Sequence, residues 1–321
     1  MQAAPFFDDV ADAPPGGSAF WLEARDGVRL RAAQWVPEEA RATVLLFPGR
    51  TEYIEKYGPL VAELAAAGHA TLAVDWRGQG LSDRLLEDPL SGHVERFADY
   101  QLDVAALMDH ARRADLPRPF YLLAHSMGGA IGLRALTEGL PAERAAFSAP
   151  MWGISLSAGL RPAAWALSWT ARRMGLSHLY APGTSGSNYP HATPFEVNLL
   201  TNDEAQYARM ARQTDAHPDL ALGGPSLGWL NEAMHECDRL ASRPSPDTPC
   251  VTVLGTEEKV VDSDAVVARM EAWHGGRLLM IEGGRHETLM DTPDRSGQAL
   301  DAILGLFSAD SASAADRRAT T

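Results

Sequence analysis

The run Phe120-Tyr121-Leu122-Leu123-Ala124-His125-Ser126-Met127-Gly128-Gly129-Ala130 passes from continuous apolar residues straight into small ones, with a serine at the junction. That pattern predicts a buried strand that turns sharply into a helix, with the Ser126 hydroxyl exposed on the bend. The residues two before and two after such a serine approach each other closely, so both must be small, and Ala124 and Gly128 meet that limit. A serine hydroxyl is a weak nucleophile and needs a base, which in turn needs an acid to orient it. On a sheet of parallel strands the chain order for this arrangement is serine, then Asp or Glu, then His, the last two in loops after late strands.

The C-terminal half supplies both partners in that order. Val251 to Leu254 reads as a strand and leads into Gly255-Thr256-Glu257-Glu258-Lys259-Val260-Val261-Asp262. Leu278 to Ile281 reads as another and leads into Gly283-Gly284-Arg285-His286-Glu287. Of ten histidines, only His286 follows a late strand through a Gly-Gly loop, which makes it the candidate base. Glu257, Glu258 and Asp262 all lie in the acidic loop. Glu258 is taken first and Asp262 second; a carboxylate accepting from the imidazole Nδ1 fixes the tautomer, and a glutamate can do so from a backbone slightly farther away. A tetrahedral intermediate also requires fixed donors. The positions for them are the backbone N–H of Met127, directly after the serine, and that of Arg50 in Phe47-Pro48-Gly49-Arg50, where Gly49 permits a close backbone approach. Asp75-Trp76-Arg77-Gly78-Gln79-Gly80-Leu81-Ser82 lacks the spacing of a phosphate-binding glycine loop and reads as a tight structural turn.

The elements that must position these residues follow from short uninterrupted apolar runs: Val44 to Phe47, Ala70 to Trp76, Phe120 to Ala124, Ala145 to Phe147, Val251 to Leu254 and Leu278 to Ile281. Runs of this kind suit strands buried on both faces. Helical candidates alternate with them at Leu60 to Ala67, Phe97 to Ala114, Gly128 to Glu138, Asp264 to Trp273 and Arg295 to Phe307. The order predicts a doubly wound, mostly parallel α/β sheet. Phe20 to Arg25 and Val28 to Val36 flank Asp26-Gly27, a turn dipeptide that predicts an antiparallel edge hairpin. Between Pro150 and about Gly224 no buried strand occurs, and Pro162 to Arg173 reads as an amphipathic helix stopped by Gly175. The expected organisation is a core of residues 18–150 and 225–307, a helical cap insertion of residues 151–224, and disordered tails at 1–17 and 308–321.

Composition excludes several alternatives. With 28 basic against 42 acidic residues the net charge is −14, which opposes attraction to a phosphate backbone and leaves nucleic acid out as a partner. Cys237 and Cys250 form neither a CxxC nor a Cys/His cluster, so a pair of reduced thiols is expected, with no metal and no organic cofactor. Residues 1–10 have no basic n-region and no apolar stretch follows, and no run approaches the length of a membrane span. These features predict a soluble, cytoplasmic protein with at most transient contact with a membrane surface.

The motifs above resemble those of the monoglyceride lipase and bacterial lysophospholipase L2 group of α/β-hydrolases, from roughly Phe20 to Phe307. The matching pieces are Pro48-Gly49-Arg50-Thr51-Glu52, Asp75 to Ser82, His125 to Gly129 and Gly283 to Glu287. Ala149 to Ile154, Asn198 to Thr201, Gly223 to Leu230 and Gly92 to Phe97 look like the lysophospholipase branch. The resemblance implies an α/β-hydrolase fold with a helical cap and a serine hydrolase acting on monoacyl lipid esters through Ser126, His286 and Glu258, because the acid position of that branch carries Glu in the run Glu-Glu-x-Val-Val-Asp. Pro48 stands where monoglyceride lipases usually have His, a departure at the oxyanion loop. The apolar residues Trp152, Ile154, Leu156, Leu160, Trp165 and Trp169 are candidates for an acyl-chain pocket or a membrane-facing surface, and equally for plain cap core, since helical apolar spacing occurs in any packed helix. Two other readings fit the same residues: a small-ester or peptide hydrolase with the same triad, and a non-catalytic binding protein that keeps the fold.

Overall fold

The computed structural model describes residues 2–156 and 159–309. The expected C-terminal tail lies, from residue 310 onward, outside the described residues.

Eight strands form one sheet in the order β1-β2-β4-β3-β5-β6-β7-β8. They are β1 (Ser18–Glu23), β2 (Arg29–Trp35), β3 (Ala42–Phe47), β4 (His69–Val74), β5 (Phe120–His125), β6 (Ala142–Ser148), β7 (Cys250–Gly255) and β8 (Gly276–Ile281). β1 and β2 are the antiparallel hairpin at one edge, and every pair from β4 to β8 is parallel. Gly27 turns the hairpin at φ 85°, a conformation an L side chain resists.

Alternation along the strands explains the two layers of helices. The helices are α1 (Asp8–Ala11), α2 (Gly58–Ala66), α3 (Tyr100–Arg113), α4 (Met127–Thr137), α5 (Leu160–Arg173), α6 (Tyr189–Ala192), α7 (Glu204–Ala216), α8 (Leu227–Ala241), α9 (Ser263–Glu271) and α10 (Pro293–Ser308). Val44, Leu46, Leu123, Val251 and Val253 point to the face covered by α2 and α10. Leu45, Phe47, Leu122, Ala124 and Leu254 point to the face covered by α3, α4, α8 and α9. Each central strand therefore buries both sets of side chains, which is why these segments carry no polar alternation.

The structure departs from the sequence reading in two places. Residues 2–17 are packed rather than a loose tail: Ala3 bridges to Phe20, Phe7 stacks on His217 at 3.7 Å between ring centroids, and Arg209 of α7 donates to Ala11 O at 2.9 Å. The Pro and Gly content suppresses regular structure but leaves carbonyls free to accept from Arg31, Arg209 and Gln213. The second departure is α8, which the sequence left unassigned. Its Trp229, Ala233, Cys237 and Leu240 enter the core, while Leu227 packs with Ala171 and Ala181. Its apolar face is as one-sided as that of α5, so the periodicity that identifies amphipathic helices is present in this segment and was passed over.

Candidate active site

Ser126 sits between β5 and α4 at φ 49°, ψ −117°, a left-handed conformation unfavourable for a residue with a Cβ. The surrounding packing enforces it. The Ser126 N–H donates to Ser148 O at 3.0 Å, and its carbonyl accepts from Gly129 N and Met151 N, each at 2.8 Å. A Cβ on Gly128 would run into the carbonyl oxygens of Phe47 and Pro48, so only glycine lets α4 start this close to the end of β3.

His286, in the loop after β8, brings Nε2 to 2.9 Å from Ser126 Oγ and Nδ1 to 2.8 Å from Glu258 Oε2. With the proton on Nδ1 directed at the carboxylate, Nε2 is left to accept from the serine hydroxyl. The Glu258 side chain is fully buried. Its Oε1 accepts from Val260 N at 2.6 Å and Val261 N at 3.1 Å, which fixes the rotamer. Burial would raise the Glu258 pKa, but His286 and the two amides outweigh it and the net shift is downward. Asp262 is occupied elsewhere: it caps α9 by accepting from Asp264 N at 3.1 Å and Ala265 N at 3.2 Å. Glu257 is exposed.

Arg50 lines the same cavity as Ser126 and Met127 follows the serine as the first residue of α4, and among the described residues neither backbone N–H has a hydrogen-bond acceptor. The turn after β4 braces the Arg50 loop: Trp76 Nε1 donates to Pro48 O at 2.9 Å, and Gln79 Nε2 donates to Gly49 O at 2.8 Å and Glu52 O at 2.9 Å. Glu52 accepts from the Gly49 N–H and the Tyr57 hydroxyl. Preorganised donors of this kind need no rearrangement as charge develops on a substrate oxygen.

Sequence reasoning missed a buried charge cluster behind the serine. Lys56 Nζ donates to Glu287 Oε1 at 2.6 Å and also to Glu52, and His125 Nε2 lies 3.5 Å from Glu287 and 3.7 Å from Glu52. Burial alone would neutralise Lys56, His125 and Glu287. Lys56 and His125 instead hold Glu287 well below the glutamate range, and the two carboxylates raise both Lys56 and His125. Glu52, His125 and Glu287 offer donor atoms within 4.8 Å of one another, the makings of a metal site, but the Lys56 ammonium already serves both carboxylates. The available signal was adjacency: Glu52 follows the Arg50 loop, His125 precedes Ser126 and Glu287 follows His286.

A cavity of about 640 Å³ opens onto Ser126 and His286, lined by apolar residues that include Met151, Ile154, Leu222, Trp229 and Val261. Between β6 and β7, residues from Gly183 to Thr193 together with Leu199 and Leu200 contribute to its wall. Of the six candidate substrate residues, Trp152, Ile154, Leu156, Leu160, Trp165 and Trp169, only Ile154 lies on it. Trp152 is core: its indole donates to Gly129 O at 3.1 Å, and its ring packs on Phe147 and Trp273. Trp165 lines a separate open groove with Leu156, Arg161, Pro162 and Ala166, edge-on to His235 at 4.3 Å. Its helix turns the small residues Ser168 and Ala171 inward, so the large ones are left outside.

A mostly parallel sheet that presents Ser126, Glu258 and His286 from the ends of three strands defines an α/β-hydrolase, a class whose chemistry here is that of a serine ester hydrolase. The chain belongs to the serine aminopeptidase S33 family, whose sequence profile matches residues 38–293. It is 34% identical to lysophospholipase L2 of Escherichia coli K12 over 88% of this chain and 85% of that protein. It is 28% identical to a probable lysophospholipase L2 of Haemophilus influenzae over 84% of this chain and 86% of the relative. In fold it is similar to a soluble variant of monoglyceride lipase from Saccharomyces cerevisiae, with a TM-score of 0.71 at 18% identity over 94% of this chain and 97% of the other. Among the described residues no helix is long and apolar enough to cross a membrane.

Proposed function

We propose that this protein hydrolyses the acyl ester of monoacyl lipids, lysophospholipid or monoacylglycerol, through an acyl-enzyme on Ser126. The observation that carries the reading is the Ser126–His286–Glu258 relay, with bonds of 2.9 and 2.8 Å, opening onto an apolar cavity. Relatives named lysophospholipase L2 support the substrate class.

Ser126 Oγ attacks the ester carbonyl while His286 Nε2 takes its proton, and Glu258 stabilises the imidazolium that forms. The carbonyl oxygen, now negative, is held by the N–H groups of Arg50 and Met127, each contributing on the order of a hundred- to thousandfold in rate. Collapse breaks the bond to the glycerol oxygen, which leaves with the proton from His286. Water then attacks the acyl-enzyme with His286 as base and releases the fatty acid. Ile154 and its apolar neighbours hold the acyl chain. Leu160, Leu167 and Trp169 of α5 are exposed beside Arg172 and Arg173, which supports brief contact with a lipid surface during substrate uptake.

The test is turnover of monoacylglycerol and lysophospholipid panels, with Ser126→Ala as control, alongside fluorophosphonate labelling. Labelling of the wild type and loss of both signals in S126A are expected. A folded wild type that fails to label removes the serine mechanism, and one that accepts only acetate or butyrate esters removes the lipid substrate.

A further inference from the structure

Among the described residues, the relay and the cluster behind it use every charged group on the cavity wall except one. The basic and acidic side chains lining the cavity are Arg50, Glu52, Lys56, His125, His286 and Glu287. Lys56 and His125 answer the two carboxylates, and Glu258 answers His286. Arg50 has no carboxylate among the described residues. Its Nη2 donates to the Gly223 carbonyl at 2.6 Å, its guanidinium carbon lies 5.3 Å from the centre of the Trp229 ring, and its Nε is buried without an acceptor. Gly223 and Trp229 are themselves cavity residues, so the guanidinium lies along the wall next to the ester site.

A buried cation held only by a carbonyl and a ring face is costly, because neither replaces the water it gave up. Burial pulls the Arg50 pKa down to about 10, opposed only in part by Tyr100, so the group is still charged at neutral pH. The room around it is tailored: a Cβ on Gly92 would lie 3.0 Å from Nη2 and 3.3 Å from Nε. Such a site favours a ligand that brings the missing negative charge, and the planar fork of a guanidinium matches two oxygens of a phosphate.

We propose that the Arg50 side chain binds the phosphodiester of a lysophospholipid headgroup, while the amide of the same residue faces the acyl carbonyl. The inference rests on the lipid-ester reading above and narrows it to the charged substrate. In a lysophospholipid the ester and the phosphodiester share one three-carbon glycerol, so a carbonyl held at the Arg50 amide leaves the phosphate about a side-chain length away. Monoacylglycerol carries no anion and leaves the guanidinium unanswered.

The experiment measures kcat/KM for a lysophosphatidylethanolamine and for the monoacylglycerol of the same acyl chain, in wild type, Arg50→Met and Arg50→Lys, with thermal melts to confirm folding. R50M is expected to lower the phospholipid value about ten- to hundredfold more than the glyceride value, chiefly through KM, and R50K to recover part of the difference. Equal losses on the two substrates would mean that Arg50 only holds the Gly223 loop in place, and would overturn the proposal. A wild type active on the glyceride alone would overturn it while leaving the ester reading intact, whereas activity on neither would remove both. A second readout needs no turnover and no variant: glycerophosphoethanolamine, compared with glycerol and with inorganic phosphate, should slow fluorophosphonate labelling of wild-type Ser126. Protection by inorganic phosphate equal to that by the glycerophosphodiester would show a general anion site and overturn the headgroup assignment, as would no protection at all.

Discussion

Lys56 Nζ lies 2.6 Å from Glu287 Oε1, joining the first turn after the Arg50 loop to the residue next to His286 across 231 positions of chain. The contact ties together the two loops that flank Ser126, and both side chains are buried.

Glu287→Gln removes one partner of this pair and leaves Lys56 with Glu52 alone. Breaking a buried pair from one side costs about 3–5 kcal/mol, so the urea midpoint should fall steeply with little change in slope. A midpoint unchanged from wild type would mean that the cluster contributes nothing to stability.

The same carboxylate sets a response to acid. The folded pKa of Glu287 lies below its ordinary 4.5, so its contribution is complete above 4.5 and is withdrawn as the pH falls through the lower folded value. Melting temperatures of wild type should therefore drop below pH 4.5 more steeply than those of E287Q, and parallel curves would contradict the assignment.

His125 responds with the opposite sign. Glu287 and Glu52 overcome burial and Lys56 to raise it above 6.5, so its stabilisation is complete below 6.5 and is lost as the pH rises through the raised value. The melting-temperature gap between wild type and His125→Gln should narrow from pH 6.5 upward. A gap that widened would show that the histidine is held neutral, with Lys56 and the nearby His286 ring prevailing over the carboxylates.

Glu258→Gln should lower kcat by about 10⁴ through loss of the correct His286 tautomer. Asp262→Ala should cost about 1 kcal/mol from the lost α9 cap and keep turnover. Loss of turnover in D262A with E258Q still active would reverse the two roles.

Ile154→Trp should shorten the accepted acyl chain, whereas Trp165→Ala should leave the profile of p-nitrophenyl esters unchanged, because of these two residues Ile154 lines the cavity at Ser126 and Trp165 does not. The same chain-length shift in both variants would place the acyl chain in the α5 groove instead.

Local pattern alone determined the alternation of strands and helices, the hairpin turn at Gly27 and the segments that end in the loops bearing Ser126, Glu258 and His286. Continuous apolar runs and small residues at sharp bends are constraints that neighbouring residues impose on each other, so they are legible in one dimension. Tertiary structure decided the rest: that Glu258 meets His286 while Asp262 caps a helix, that residues 2–17 are pinned by Arg31 and Arg209, and that Trp152 is core while Ile154 is wall. It also brought Glu52, Lys56, His125 and Glu287 into one buried cluster and left Arg50 without a counter-charge among the described residues. Each of these depends on which distant group occupies the space beside a side chain, and burial turns that single neighbour into the difference between a paired charge and an open one.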